Sequence, residues 1–155
     1  MQSTVQLRSR LERPQRNAQG ARMERILTFV LVDTDAGLTG IGEAFGDDAL
    51  MEPFIEKRVA PMVTGMDSTN IPARWQKMFA SHAYWEIGGA VLCAINAVEV
   101  ACHDIWGQAE GVPVSVLLGG AKRDWIKAYA RDPHWEGAQR MARTAASYVH
   151  ARAHQ

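Results

Sequence analysis

The chain reads as an α+β domain: a three-stranded antiparallel sheet followed by a helical bundle, with one further β-α unit at the C-terminus. Three observations predict it. The hydrophobic pattern changes from strand-like to helical at about residue 48. Asp35-Ala36-Gly37 forms a turn between two β-rich stretches. Residues 90–106 are apolar on nearly every helical face, as in a central buried helix. Strands first and helices after mark an α+β fold.

The first stretch, TVQLRSRL, alternates weakly and is expected as an edge strand. LERPQRNAQGA (11–21) carries Pro, Asn and Gly and is expected as a loop. ERILTFVLVDT (24–34) is rich in β-branched and aromatic residues, and LTGIGEAF (38–45) follows the turn as its hairpin partner. DDALMEPFIEKRVAPMV has helical spacing. Its acidic residues come first, where the helix dipole favours them, and Pro61 is expected to end or limit it. After the loop MDSTN, Ile71, Trp75, Met78, Phe79 and His82 recur at helical spacing over residues 71–85, and Ile87-Gly88-Gly89 breaks that helix. The apolar helix that follows has one narrow polar stripe, Asn96, Glu99 and His103. Gly111-Val112-Pro113 ends it, and Gly119-Gly120 stops the short turn beyond. WIKAYA (125–130) is expected as a short strand and EGAQRMARTAASYVHARAHQ (136–155) as a helix.

Composition narrows the function. Apolar residues make up 47% and charged residues 22% of the chain, as in a soluble globular protein. Lys+Arg and Asp+Glu balance at 17 each, which argues against a general nucleic-acid binder. Six arginines (Arg8, Arg10, Arg13, Arg16, Arg22 and Arg25) crowd the first 25 residues and are read as a solvated strand edge and loop. No 18-residue apolar run is seen, so no membrane helix is expected, and the N-terminus has no apolar signal core. Cys93 and Cys102 lie nine residues apart on the predicted helix, on opposite faces and roughly 13 Å apart along its axis. They cannot pair. Two buried thiols and a cytoplasmic location are the expectation.

Three stretches carry a resemblance to a known family. VDTDAGLTGIGEA (32–44), SHAYWEIGGA (81–90) and the run from Ala94 to Gly119 resemble the N-terminal capping domain of the mandelate racemase/muconate lactonising enzyme group of the enolase superfamily. The last run follows that family's pattern A-x-x-A-[IV]-[DE]-x-A-x-x-D-[IL]-x-G-[KQ]-x4-P-V-x2-LLG. Glu99 stands where Asp is commoner, Cys102 where Leu or Ala is usual, and His103 where Trp is common. These departures affect packing only. The resemblance covers roughly residues 20 to 132.

The resemblance implies a cap of residues 1–120, followed over 121–155 by the start of a (β/α) barrel or a non-native tail. It implies a parent enzyme that abstracts a proton alpha to a carboxylate and stabilises the enediolate with Mg²⁺. The Trp-x-x-Gly-Gly segment looks most like the acid-sugar dehydratases. In such enzymes the base and the metal ligands stand on barrel strands. No residue here is therefore assigned a catalytic or metal role, and no bound cofactor is expected. Only 35 residues follow Gly120, so a truncated or frameshifted product, or a partial gene model, is expected, inactive alone. The alternative is a non-catalytic binding or assembly module that pairs with itself or with a separate barrel chain.

The resemblance also places specificity loops at about Arg13–Gly20 and Phe45–Asp48. Arg13, Arg16 and Asn17 would meet an anionic substrate, since guanidinium suits carboxylates, and Phe45 would supply an apolar wall. The expected partner is a small carboxylate or sugar acid, bound only together with a barrel; a homo-oligomer is possible, and neither nucleic acid nor membrane is expected. The remaining polar residues read as structural. Asp33 and Asp35 flank a turn, and Asp47 and Asp48 cap a helix. His103 is a hydrogen-bonded residue of the buried helix. Asp104 ties that helix to a neighbouring backbone, Tyr84-Trp85 belongs to the core, and His150/His154 lacks further metal ligands.

Overall fold

The computed structural model describes residues 2–17, 20–46, 48–82, 88–127 and 138–152, with side chains from Glu24 to Val149 apart from those of Arg25 and Asp48. Two compact units share the chain: Met1–Leu7 with Ile26–Lys122, and Arg8–Arg25 with Arg123–Gln155. The strands are β1 (Gln2–Asn17), β2 (Gly20–Asp33) and β3 (Thr39–Ala44), in the sheet order β1-β2-β3.

In the first unit, β2 and β3 form an antiparallel hairpin with Asp33 opposite Thr39 and Thr28 opposite Ala44. Its turn is closed by the Thr34 hydroxyl, which accepts from the Leu38 N–H and donates to the Leu38 carbonyl, both at 3.0 Å. Gly37 takes the left-handed conformation that the turn requires, at φ 78°. Alternate residues of β3 are buried. On that face the large side chains Val30 and Val32 stand opposite Gly42 and Gly40. The flat glycine row admits α4 (Gly89–Glu110) to backbone contact. A Cβ on Gly40 would lie 2.0 Å from the Ala101 carbonyl oxygen, and one on Gly42 would lie 1.9 Å from that of Ala97. Ala94, Ala97 and Ala101 are fully buried at i, i+3 and i+7, so small residues meet small residues across the seam.

The same helix satisfies the open edge of β3. The Ile41 N–H donates to Asp104 Oδ2 at 3.0 Å, and Gln108 Nε2 donates to the Thr39 carbonyl at 2.9 Å. The expected role of Asp104 as a tether is the one observed, and it covers strand groups that would otherwise be free to pair with another chain. Gly111, at φ 67°, ends α4 with its N–H on the Gln108 and Gly107 carbonyls. Pro113 then leads into α5 (Val114–Leu117).

The segment before α4 departs from a plain helix. α1 (Asp48–Phe54) runs into a π-helical turn (Ile55–Val59) and then α2 (Ala60–Val63). Pro61 was expected to end or limit this helix, yet the helix runs past it to Val63. The Ala60 N–H reaches back to the Ile55 carbonyl; this wider turn admits a ring that would clash in a regular helix. The buried residues Met51, Ile55, Val59 and Val63 follow a strict i+4 spacing. Such a stripe drifts by roughly 40° per turn round a regular α-helix, and the π turn takes up the drift. Each such side chain contributes on the order of 2 kcal/mol by leaving water.

α3 (Ile71–His82) buries Ile71, Arg74, Met78 and His82. Trp75 and Phe79, expected on that face, are half-buried beside it and stack on each other. Cys102 is buried and Cys93 half-buried, and both are free thiols.

Several expectations are corrected. The 11–21 loop is strand for most of its length, because β1 continues to Asn17 and β2 begins at Gly20. Pro14, taken as a loop signal, is tolerated because β1 lies at the edge of the sheet order, where a missing N–H costs no ladder bond. The sheet that covers the helices is a two-stranded antiparallel pair, β2 with β3, rather than three short strands; β1 flanks β2 as part of a longer ribbon. Trp125–Lys127, the described part of the expected WIKAYA strand, is not in a strand. Its side chains are exposed, Trp125 by 75% and Ile126 by 81%. α6 (Ala138–Arg152) forms within the expected C-terminal helix. Finally, α4 is long and apolar enough, by length and composition, to cross a membrane, although no such run was expected. Its apolarity is that of a core helix, with Ile95, Val98 and Ile105 buried. The expected roles of Asp47, Tyr84, Trp85 and His154 fall on residues outside the described set, as do Ala128–Ala130.

Candidate functional site

The residues proposed to face a substrate divide between the two units. Arg13, Arg16 and Asn17 lie at the end of β1, so their backbone is strand and not loop; their side chains lie outside the described set. Phe45 follows β3 directly and is 80% exposed. What holds it there is local. β3 is fixed on α4 by the glycine seam. Gly46 next to it leaves room for the buried Met51, whose methyl would lie 2.6 Å from a Cβ at that position. Phe45 is thus an exposed apolar side chain at the end of a strand that is fixed on α4.

The described acidic residues have other partners. Asp33 accepts from the Thr39 hydroxyl at 2.7 Å across the hairpin. Asp67 Oδ1 accepts from the Thr69 N–H and hydroxyl, both at 2.8 Å. The backbone bond first, and then the hydroxyl, hold its carboxyl below the usual range. Asp33, Asp35, Asp67 and Arg74 line a polar hollow of about 460 Å³. Among the described residues no three His, Cys, Asp or Glu side chains group as metal ligands. The described residues thus offer no ligand set for the Mg²⁺ that the resemblance implies, and no chemical step is derived through it.

Arg74, which sequence reasoning missed, is the one strongly buried cation among the described residues, with 4% exposure. Nη2 donates to the Val63 and Met66 carbonyls at 3.1 and 3.0 Å, and Nη1 to Cys102 Sγ at 2.7 Å. The guanidinium clamps the end of α2 and its loop onto α4. Burial pushes the Cys102 thiol up, and the neighbouring Arg74 opposes that rise. The periodic signal was available: Ile71, Arg74, Met78 and His82 follow the i, i+3, i+7, i+11 rhythm of one helix face.

His82 and His103 are structural by geometry. Nδ1 of His82 donates to the Met78 carbonyl at 2.8 Å, and Nδ1 of His103 to the Glu99 carbonyl at 3.0 Å. Neither lies in a nucleophile-base pair among the described residues. On the outer side of α4, Glu99, His103 and Trp106 face Trp75 and Phe79 of α3 across an open groove of about 840 Å³.

Comparison with known proteins places this geometry. The family described as mandelate racemase/muconate lactonizing enzyme, N-terminal domain, matches residues 2–119. A D-galactonate dehydratase family member from Streptomyces bingchenggensis is 38% identical over 107 residues, which are 68% of this chain and 26% of that protein. An enolase superfamily member from Polaromonas sp. JS666 superposes with a TM-score of 0.85 at 28% identity, covering 96% of this chain and 40% of that one. A racemase from Streptomyces coelicolor A3(2), solved with bound magnesium, gives 0.83 at 26% identity over 97% of this chain and 43% of its own. The chain thus spans about a quarter of the length of the curated relatives it matches.

Proposed function

Because the chain belongs to the mandelate racemase/muconate lactonizing enzyme family through its N-terminal domain, we propose that it is the capping and substrate-specificity domain of a Mg²⁺-dependent lyase or isomerase of the acid-sugar dehydratase kind. The observation that carries this reading is the family match over residues 2–119, which spans the β3–α4 seam, together with a relative named as a D-galactonate dehydratase family member. The parent reaction would remove the proton alpha to a carboxylate and then expel the β-hydroxyl as water. Mg²⁺ supplies enediolate stabilisation in such chemistry, on residues other than those described here. This chain's own part is to close the site. Arg13 and Arg16 pair with the substrate carboxylate, Asn17 donates hydrogen bonds, and Phe45 excludes water from one side. The setting is cytoplasmic.

The test has two arms. The purified chain, given Mg²⁺ and a panel of sugar acids, is expected to show no turnover; turnover would overthrow the claim that it is inactive alone. Residues 2–119 grafted in place of the cap of the D-galactonate dehydratase family member should give a soluble enzyme. In that chimera Arg13→Ala with Arg16→Ala should raise KM for sugar acids with little change in kcat. An unchanged KM would remove those residues from the site.

A second reading is favoured by the exposed side chains of Trp125 and Ile126: a module that associates through apolar surface. Light scattering coupled to size exclusion separates the two, since a clean monomer at all concentrations counts against association.

A further inference from the structure

The groove between α3 and α4 is not used by any residue of the proposed substrate site. One wall is the Trp75–Phe79 pair, with ring centroids 4.6 Å apart and planes 11° from parallel. The other is Glu99, His103 and Trp106, at i, i+4 and i+7 on α4. On the helix these lie roughly half a turn from Ala97, and so away from the face that β3 covers. The His103 and Trp106 rings tilt at 45° with centroids 6.3 Å apart. Thr69, Ile71, Pro72 and Gln76 complete the lining on the α3 side.

The electrostatics of this groove have one sign. Among the described residues no Lys or Arg lines it. His103 has Nδ1 committed to the Glu99 main-chain carbonyl. The half-buried Glu99 carboxylate has no hydrogen-bond or ion-pair partner among the described residues. A carboxylate so placed has lost part of its hydration without a compensating charge. The faces of the indole and phenyl rings around it carry the negative end of the ring quadrupole. An anion would be repelled here. A neutral apolar ligand would bury the carboxylate further and leave it unpaired. An organic cation meets both elements at once.

We propose that this groove is a binding site for an organic cation, a quaternary ammonium or guanidinium group on a short apolar body. The cationic head pairs with Glu99 and lies against aromatic faces, and the apolar body lies along the α3 wall. The volume of about 840 Å³ exceeds what a bare ammonium fills and lies within the usual range for small-molecule pockets, so a cation carrying an apolar group should bind more tightly than a simple one.

The full chain, labelled with ¹⁵N, is titrated with choline, with benzyltrimethylammonium, and with dimethylbutanol as the uncharged isostere of choline. The indole N–H signals are followed, with Trp75→Phe and Trp106→Phe used for assignment. Both cations should saturate the Trp75 and Trp106 signals, benzyltrimethylammonium the more tightly, while dimethylbutanol does not. Glu99→Gln keeps shape and hydrogen bonding but removes the charge, and should weaken both cations by about 3- to 10-fold. The inference is overturned if neither cation saturates by roughly 100 mM, if dimethylbutanol binds as well as choline, or if Glu99→Gln binds like the parent chain. No sugar acid, metal or barrel enters this test, so its outcome is independent of the proposed function.

Discussion

Gly42→Ala attacks the contact on which the fold depends most. The added Cβ would lie 1.9 Å from the Ala97 carbonyl oxygen and 2.8 Å from its carbon. Non-bonded heavy atoms prefer roughly 3.5 Å, so strand and helix must part by about 1.5 Å. Neither side can yield through a rotamer, because the facing atoms are main chain. Overpacking in cores costs about 1–3 kcal/mol where side chains can adjust, so the upper end applies. Parting the seam also stretches the Ile41–Asp104 hydrogen bond, for about another 1 kcal/mol. A loss of about 3–5 kcal/mol is expected, which lowers Tm by roughly 10–25 °C in a unit of this size.

The assay is urea and thermal unfolding followed by far-ultraviolet circular dichroism and tryptophan fluorescence. Gly37→Ala is the control. Its Cβ would meet nothing within 4 Å, but its φ is +78°, so it isolates the conformational cost of about 1–2 kcal/mol. Ala97→Gly should not rescue Gly42→Ala, since it removes a methyl group and leaves the offending oxygen in place. If Gly42→Ala costs no more than Gly37→Ala, or if Ala97→Gly restores stability, the backbone-to-backbone seam is refuted.

Other substitutions test the polar anchors. Arg74→Met should cost about 2–4 kcal/mol, measured by urea midpoint, because it strands the buried Val63 and Met66 carbonyls. Arg74→Lys should recover little, since an ammonium cannot span the same acceptors as a fork. Asp104→Ala should cost about 1–2 kcal/mol through the lost Ile41 bond, and Asp104→Asn, which keeps an acceptor, should recover most of it. In the native chain a thiol reagent should modify the half-buried Cys93 before the buried Cys102. The Cys102 thiol is raised above its ordinary value by burial, so the folded state keeps a proton that the unfolded chain releases. Its contribution is fully present below the ordinary thiol range and is lost as pH rises through the higher folded value. Urea midpoints should fall over that alkaline window, and Cys102→Ala should flatten the fall.

The sequence showed the hairpin, the central helix and its glycine stops because each has a local cause: alternation, a turn glycine, an apolar run with a left-handed cap. It showed the tether role of Asp104 because a carboxylate on a core helix needs a donor. It did not show Arg74, because the carbonyls that admit this charged side chain inside come from residues 63 and 66 and meet it only in the fold. The π turn escaped for a related reason. Pro61 in isolation signals an end or a limit to the helix, while the i+4 stripe from Met51 to Val63 requires the helix to continue. β1 was cut short because Pro14 and Asn17 signal loop in isolation, whereas an edge position removes the penalty. Arg13, Arg16 and Asn17 accordingly lie on strand at the end of β1.

Two of the three stretches that carry the family resemblance are, in this chain, the two halves of one contact. The Gly40-x-Gly42 row has no reason to lack side chains unless something lies against it. The Ala94, Ala97 and Ala101 stripe has no reason to be small unless a strand does the same from the other side. Each pattern alone is compatible with an ordinary turn or an ordinary core helix. Together they specify a separation at which only glycine fits, with Asp104 and Gln108 fixing the register along the edge. That gives the motif a packing cause. Its product is a strand end held without freedom to shift, and the first side chain past that end is the exposed Phe45. Loosening the seam should therefore be felt early at Phe45. In the chimeric enzyme, a milder seam variant such as Ala101→Val should blunt discrimination between sugar acids while leaving expression intact. Unchanged discrimination in a measurably destabilised variant would uncouple the seam from specificity.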